Sequence, residues 1–160
     1  MSFSIYSEKK RISPEELSSF RKRINGRTLA TLNGSFDLMH AGHLEIIYAA
    51  SLKADILLVA LNSDTSIEQY KGPKRPIVPL EYRLRLMSAL AFVDFVTWFD
   101  EADPCSLLRK VRPDIHVNGA DWGTNCIEAS TLQEIGARLE IIPLIEGLST
   151  SSLIQKIKSL

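Results

Sequence analysis

The chain has 160 residues, 45% of them hydrophobic, and its 19 Lys plus Arg balance 19 Asp plus Glu. A single domain of this size hides roughly 70% of its unfolded-state surface, so it needs neither disulfides nor a structural metal to hold a core. Zero formal net charge excludes the basic footprint of a general nucleic-acid binder, while a small anionic ligand held by a few local cations stays open.

The longest apolar run, residues 56–61, is far short of the ~20 residues that span a bilayer, so no membrane segment is expected. Glu8, Lys9, Lys10 and Arg11 stand where a secretion signal needs its apolar stretch, which makes a cytoplasmic protein the expectation. Cys105 and Cys126 lie in no CxxC pair and at no zinc spacing, so they read as small apolar residues or idle thiols.

In chain order, Ser13-Pro14-Glu15-Glu16 reads as a capping box, which predicts a helix to about residue 25 with Gly26 as its stop. Residues 1–27 are read as an N-terminal helical extension and 28–160 as the core of one domain. Residues 28–33 are short, apolar and β-branched before Gly34, a buried strand entering a turn. Leu44, Ile46, Ile47, Ala50 and Leu52 place a helix over 40–53. The continuous apolar run 56–61 is a strand covered on both faces.

Residues 80–90 then read as helix and 95–99 as strand. Asp103-Pro104 caps a helix to about 111, followed by a strand at 115–118, a helix at 128–135 ended by Gly136, a strand at 139–142 and a closing helix over 149–160. Strands alternating with helices predict an α/β fold, a doubly wound, Rossmann-like three-layer sandwich on a five-stranded parallel sheet, because parallel strands need long crossovers. Ligands in such sheets collect beyond the carboxyl ends of the strands. That directs attention to 33–43, 62–64, 118–122 and 146–152.

The first of these loops reads Gly34-Ser35-Phe36-Asp37-Leu38-Met39-His40-Ala41-Gly42-His43. His40 and His43 share one face of a helix mouth, where backbone N–H groups attract anions. Gly42 leaves space for a phosphate chain, and the Ser35 and Phe36 N–H groups add donors. Two alternatives stand beside this reading: His40 caps the helix while His43 fills a polar crevice, or the pair binds zinc with Asp37, although Cys partners and a clear third donor are missing. Asp37 suits support of the turn as well as a direct role.

Lys71, Lys74 and Arg75 sit with Gly72, Pro73 and Pro76 in what reads as a loop that folds over phosphates when ligand is present. Arg83, one turn into the next helix, is expected to reach phosphates, and Arg85 to face water. Ser149-Thr150-Ser151-Ser152 opens the last helix as a second anion cradle, with more hydroxyls than capping requires. In Asn118-Gly119-Ala120-Asp121-Trp122, Asp121 can accept bonds from sugar hydroxyls and Trp122 can offer a ring face, or the segment is a structural turn.

GSFDLMHAGH resembles the HxGH signature of the nucleotidyltransferase superfamily of cytidylyl- and adenylyltransferases, and the likeness runs from about Thr28 to the C-terminus. Within it the chain is most similar to the adenylyltransferases that make ADP-heptose for lipopolysaccharide, as a stand-alone domain without their usual fused sugar kinase. Asn62-Ser63-Asp64, Lys71-Gly72-Pro73-Lys74-Arg75-Pro76 with Pro79-Leu80-Glu81-Tyr82-Arg83, and Ser149-Thr150-Ser151-Ser152 carry the likeness besides the histidines. The chain departs from the heptose pattern at Asn118, usually Lys, and at Ala120, usually Gly.

The resemblance implies AMP transfer from ATP to a sugar 1-phosphate, with pyrophosphate released. It assigns catalysis to His40, His43 and Lys71. Nucleotide binding falls to Gly34, Ser35, Phe36, Gly42, Asn62, Asp64, Arg83, Ser149, Thr150 and Ser151, and substrate binding to Asp37, Asn118, Gly119, Asp121 and Trp122. No resident metal is implied; Mg²⁺ enters with ATP, a homodimer is expected, and a separate sugar kinase acts upstream.

Glycerol-3-phosphate cytidylyltransferases, which use CTP, are the nearest rival family. They share the Gly-x-Asp-Trp element and Glu146-Gly147-Leu148-Ser149-Thr150, but two of their arginines are replaced here by Ala91 and Leu144. A non-catalytic nucleotide-binding regulatory subunit is the alternative from another class, and the intact histidines argue against it. The GxGxxG and GxxxxGK[ST] fingerprints of other nucleotide folds are missing.

Overall fold

The computed structural model describes residues 3–120, 123, 125–143 and 149–160. Five parallel strands, β1 (Leu29–Gly34), β2 (Ile56–Asn62), β3 (Phe95–Phe99), β4 (Ile115–Gly119) and β5 (Arg138–Ile142), form one sheet in the order β3-β2-β1-β4-β5. The chain builds outward from β1 through β2 and β3, then crosses to the other side for β4 and β5. The switch point lies between β1 and β4, where a doubly wound sheet opens a crevice beyond its strand ends.

The helices are α1 (Phe3–Glu8), α2 (Leu17–Arg23), α3 (Ala41–Ser51), α4 (Asp64–Lys71), α5 (Leu80–Ala89), α6 (Cys105–Val111), α7 (Ala129–Ile135) and α8 (Thr150–Lys158). Alternation along each strand sends side chains to two cores. Ala30, Leu32, Leu57, Val59, Leu61, Val96 and Val117 meet α3 and α5 through Ile46, Ile47, Ala50, Leu84 and Met87. Leu29, Ile56, Leu58, Ala60 and Phe99 meet α2, α6 and α7 through Leu17, Phe20, Leu107, Leu108, Val111 and Leu132. Each fully buried side chain of this kind stabilises by about 1.5–3 kcal/mol, so the three-layer arrangement follows from the strand pattern. None of the described helices is long and apolar enough to cross a membrane.

The N-terminal segment is more than the appendage expected of it. Ile12 N–H donates to Val96 O at 2.9 Å and Val96 N–H to Lys10 O at 2.8 Å, so the chain pairs along the β3 edge. This covers a sheet edge that would otherwise present unpaired backbone. Ile12, Leu17, Phe20 and Ile24 are fully buried, which ties the segment into the second core. The capping box is half realised: Ser13 N–H donates to the Glu16 carboxylate at 2.9 Å, while regular helix begins only at Leu17.

Two helices go beyond the sequence reading. Besides α1, residues 64–71 form α4, so Lys71 ends a helix instead of lying in a loop. Ser63 caps it by accepting from Ser66 N–H, Asp64 and Lys71 suit its two dipole ends, and Gly72 ends it at φ 83°.

Candidate active site

A cleft of about 780 Å³ opens at the switch point, walled by the ends of β1 and β4, the mouth of α3, the end of α4 and the start of α8. Its shape begins with β1. A Cβ at Gly34 would meet the Phe36 ring at 3.1–3.2 Å, so a side chain there would force the ring to shift. Phe36 itself takes a left-handed conformation at φ 44°, which costs a non-glycine residue about 1–2 kcal/mol. Its ring stays buried and meets His43 edge to face at 5.4 Å.

His40 occupies the N-cap position of α3 with extended backbone, but its side chain makes no capping bond. Both histidines line the cleft, their rings stacked at 3.8 Å and 22°. Burial, then the neighbouring His40 and Lys71 charges, push the His43 pKa down to about 4; burial also lowers that of His40. The pair is therefore neutral near pH 7, and a neutral imidazole still offers one N–H. Neither Nδ1 has a hydrogen-bond partner among the described residues, so the protein leaves both tautomers unfixed.

Lys71 reaches the same wall, its Nζ donating to Ser35 Oγ at 3.0 Å. Burial and then the Arg75 charge lower its pKa. The loop after α4 was expected to deliver its cations only with ligand; Lys71 is already in place.

Asp37 and Arg83 hold this arrangement and do not line the cleft. The buried Asp37 carboxylate accepts from Ile77 N–H and Val78 N–H, both at 2.8 Å, and from Arg75 Nε at 2.7 Å. Burial alone would raise its pKa, but the Val78, Ile77 and Arg75 bonds hold it below the usual carboxylate range. Its expected contact with substrate is corrected accordingly, since all of its acceptor capacity is turned toward residues 75–78. Arg83, with a fully buried side chain, donates to Ser35 O at 2.8 Å, Asn62 O at 2.7 Å, Val78 O at 2.9 Å and Asp64 Oδ1 at 2.7 Å. The expectation that it touches phosphate is corrected too: the guanidinium pins the ends of β1 and β2 to the start of α5. Asp64 Oδ1 also accepts from Leu80 N–H at 2.9 Å, and Asp64 does not line the cleft.

Gly34, Ser35, Phe36, Gly42, Asn62, Asn118 and Gly119 all reach the cleft, as do Ser149, Thr150 and Ser151. Ser149 and Ser152 form a reciprocal capping box, and Thr150 Oγ1 donates to Leu38 O at 3.4 Å. Capping thus uses two of the four hydroxyls, and Thr150 ties α8 to the HxGH loop. Asp121 and Trp122 lie outside the described residues, as does Leu144. Arg85 pairs with Glu81 at 2.8 Å on the exposed face of α5. Among the described residues no three His, Cys, Asp or Glu side chains cluster as a metal site.

Sequence reasoning missed Asn33, Tyr70, Asp103 and Glu128 in the cleft wall. Asn33, the penultimate residue of β1, lay within the 33–43 stretch singled out from the sequence but was given no role there. Glu128 gave no signal, because nothing in a linear pattern announces that a carboxylate nine residues beyond a strand is buried.

A parallel β3-β2-β1-β4-β5 sheet with a His-x-Gly-His turn at its switch point defines a Rossmann-like α/β domain of the nucleotidyltransferase class. A family profile described as cytidylyltransferase-like matches residues 31–156, and the chain belongs to that family. The chain is 40% identical over 137 residues to the bifunctional protein HldE of Trichlorobacter lovleyi, covering 85% of this chain and 28% of that protein. It is 40% identical over 155 residues to HldE of Campylobacter jejuni strain RM1221, covering 97% and 33%. The chain thus spans about a third or less of these curated relatives.

Among solved structures, the lipopolysaccharide core biosynthesis protein from Thermoplasma volcanium superposes with a TM-score of 0.61 at 28% identity, over 75% of this chain and 98% of that one. Pantoate-beta-alanine ligase from Francisella tularensis shares the fold, with a TM-score of 0.60 at 12% identity over 94% and 78%.

Proposed function

We propose that the protein transfers AMP from ATP to a heptose 1-phosphate, giving an ADP-sugar and pyrophosphate for lipopolysaccharide core synthesis. The observation that carries this reading is the stacked His40–His43 pair on the cleft wall beside Lys71, at the switch point of the sheet. The choice of ATP and a heptose is supported by similarity to HldE proteins over nearly the whole chain and by a lipopolysaccharide core biosynthesis protein of similar structure.

An oxygen of the sugar phosphate attacks the α-phosphorus of ATP in line. The new O–Pα bond forms as the Pα–O bond to the β-phosphate breaks, and pyrophosphate leaves with the electron pair. The nucleophile is already anionic, so the protein supplies alignment and donors instead of a strong base. His40 and His43 donate to the α-phosphoryl oxygens. Lys71 stabilises the accumulating charge, and the hydroxyls and N–H groups of Ser149, Thr150 and Ser151 cradle the outer phosphates.

Mg²⁺ carried on the triphosphate supplies charge neutralisation at its oxygens. Asp121, Trp122 and Asn118 are proposed sugar-phosphate contacts and Asn62 a nucleotide contact; Asn62 and Asn118 both line the cleft. A homodimer is part of the proposal, as is a separate sugar kinase that supplies the sugar 1-phosphate.

Incubation of the protein with ATP or CTP and heptose 1-phosphate or glycerol 3-phosphate, read by mass spectrometry, tests the assignment. ADP-heptose as the main product supports it. CDP-glycerol would transfer it to the rival family, and no nucleotide-linked product from any pair would leave a nucleotide-binding regulator.

A further inference from the structure

Lys71 is the only Lys or Arg among the described residues that line the cleft, and few groups hold it there. Its one hydrogen bond among the described residues goes to Ser35 Oγ at 3.0 Å. Burial, then the Arg75 charge, work against the ammonium; Asp37 favours it and Arg83 opposes it. Asp37 is no ion-pair partner, because its carboxylate is already engaged by Arg75 Nε at 2.7 Å and by the Ile77 and Val78 N–H groups. On α3, His43 feels the same ammonium, which helps to keep its ring neutral.

The remaining neighbour is the ring of Tyr70. Lys71 Nζ lies over that ring, 5.4 Å from its centroid, inside the roughly 6 Å at which a ring face attracts a cation. Consecutive side chains on a helix do not face each other, so this contact is not automatic. The lysine stem turns back over the preceding residue and so meets the cleft wall that Tyr70 also lines. Docking of α4 does not explain the tyrosine, which is 48% exposed while Ser66 and Ile67 are the buried residues of that helix. The Tyr70 hydroxyl lies toward the same serine: burial raises its pKa, and the Ser35 hydroxyl is the first of the groups that offset this.

We propose that Tyr70 is a positioning residue, whose ring holds the Lys71 ammonium against Ser35 at the cleft wall so that the cation is in place before a nucleotide arrives. This deepens the proposed reaction and rests on it for the use to which Lys71 is put. A carboxylate in the same place would neutralise the lysine and would have to be displaced by phosphate. A ring face favours the cation and leaves its full charge available.

Protein labelled with ¹³C-lysine, its Lys71 Cε–Hε signal assigned by absence from Lys71→Met, is titrated by NMR without substrates as wild type, Tyr70→Leu and Tyr70→Phe. Leu keeps apolar bulk against the lysine stem and removes the ring face; Phe keeps the face and removes the hydroxyl. The Lys71 pKa should fall by about half a unit in the Leu variant, the size of an exposed cation–π contact, and return to within about 0.2 unit of wild type in the Phe variant. Kinetics should follow, with kcat about threefold to fivefold lower in Tyr70→Leu, KM for ATP and for heptose 1-phosphate changed less than about twofold, and rescue by Tyr70→Phe. The alkaline limb of the kcat profile should move to lower pH in the Leu variant alone. A Lys71 pKa that is unchanged or raised in Tyr70→Leu would make the tyrosine structural and overturn the inference. A rise in KM larger than the fall in kcat would make the ring a ligand contact, and failure of Phe to rescue would pass the role to the hydroxyl; either result overturns it as well. The NMR titration involves no turnover, so its outcome is separate from that of the reaction, which product formation by wild type decides.

Discussion

Replacing Arg83 with Met keeps most of the buried stem and removes the guanidinium, isolating the polar role of a side chain first expected to contact phosphate. The change deletes donors to Ser35 O, Asn62 O and Val78 O and breaks the pair with Asp64. Three carbonyls lose a buried donor, at about 1–3 kcal/mol each, while the pair with Asp64, whose side chain is 42% exposed, adds only about 1 kcal/mol, so a total of about 4–5 kcal/mol is expected. A domain of this size holds about 5–15 kcal/mol in total, so the variant should lose a third or more of its stability and melt about 10 °C lower. Urea unfolding, with an unchanged m-value, measures the loss, and ATP titration of the still-folded variant measures binding. A loss below about 1 kcal/mol together with a collapse of ATP affinity would refute the reasoning, since the guanidinium would then be serving ligand instead of the β1–β2–α5 junction.

His43→Ala should lower kcat by about 10²–10³-fold, the scale of a lost transition-state donor, with the far-UV spectrum and melt retained; steady-state kinetics check it. Lys71→Ala should lower kcat by about 10–100-fold and raise the sugar KM far less; the reverse ranking would make Lys71 a substrate anchor. The His43 pKa of about 4 in the fold lies below the ~6.5 of an unfolded histidine. Its stabilising contribution is therefore fully present above about pH 6.5 and is lost as pH falls toward 4. Linkage bounds that contribution near 3 kcal/mol, and solvent screening at this half-open site brings it to about 1 kcal/mol. His116 acts in the same direction, so the test is urea stability against pH for wild type and His43→Asn, with the variant's curve flatter between pH 6.5 and 4.

The sheet and most of its crossovers were legible because they rest on local rules: an apolar run such as 56–61 can only be a strand covered on both sides, and Gly34 can only begin a tight turn. The α4 helix was obscured by its polar composition, although Ser63, Asp64 and Gly72 carry its start and stop. At the site, the histidine pair and the serine cluster were readable from spacing, while Lys71 was singled out by the family resemblance. The use of Arg83 was not readable, and for Asp37 support of the turn was only one of two readings. Which way a charged side chain turns depends on partners such as Ile77 N–H and Asn62 O that are brought near only by the folded chain. The same holds for the N-terminal segment, whose attachment to Val96 spans more than eighty residues of sequence.

Transfer of a heptose 1-phosphate labelled with ¹⁸O in all its non-bridging phosphate oxygens, followed by ³¹P NMR of the products, tests the central claim directly. Attack by the sugar phosphate on the α-phosphorus at the histidine pair places label on the sugar-side phosphorus and in the new bridge, with pyrophosphate unlabelled. Label in the pyrophosphate, or inorganic phosphate and ADP as the only products, would contradict it.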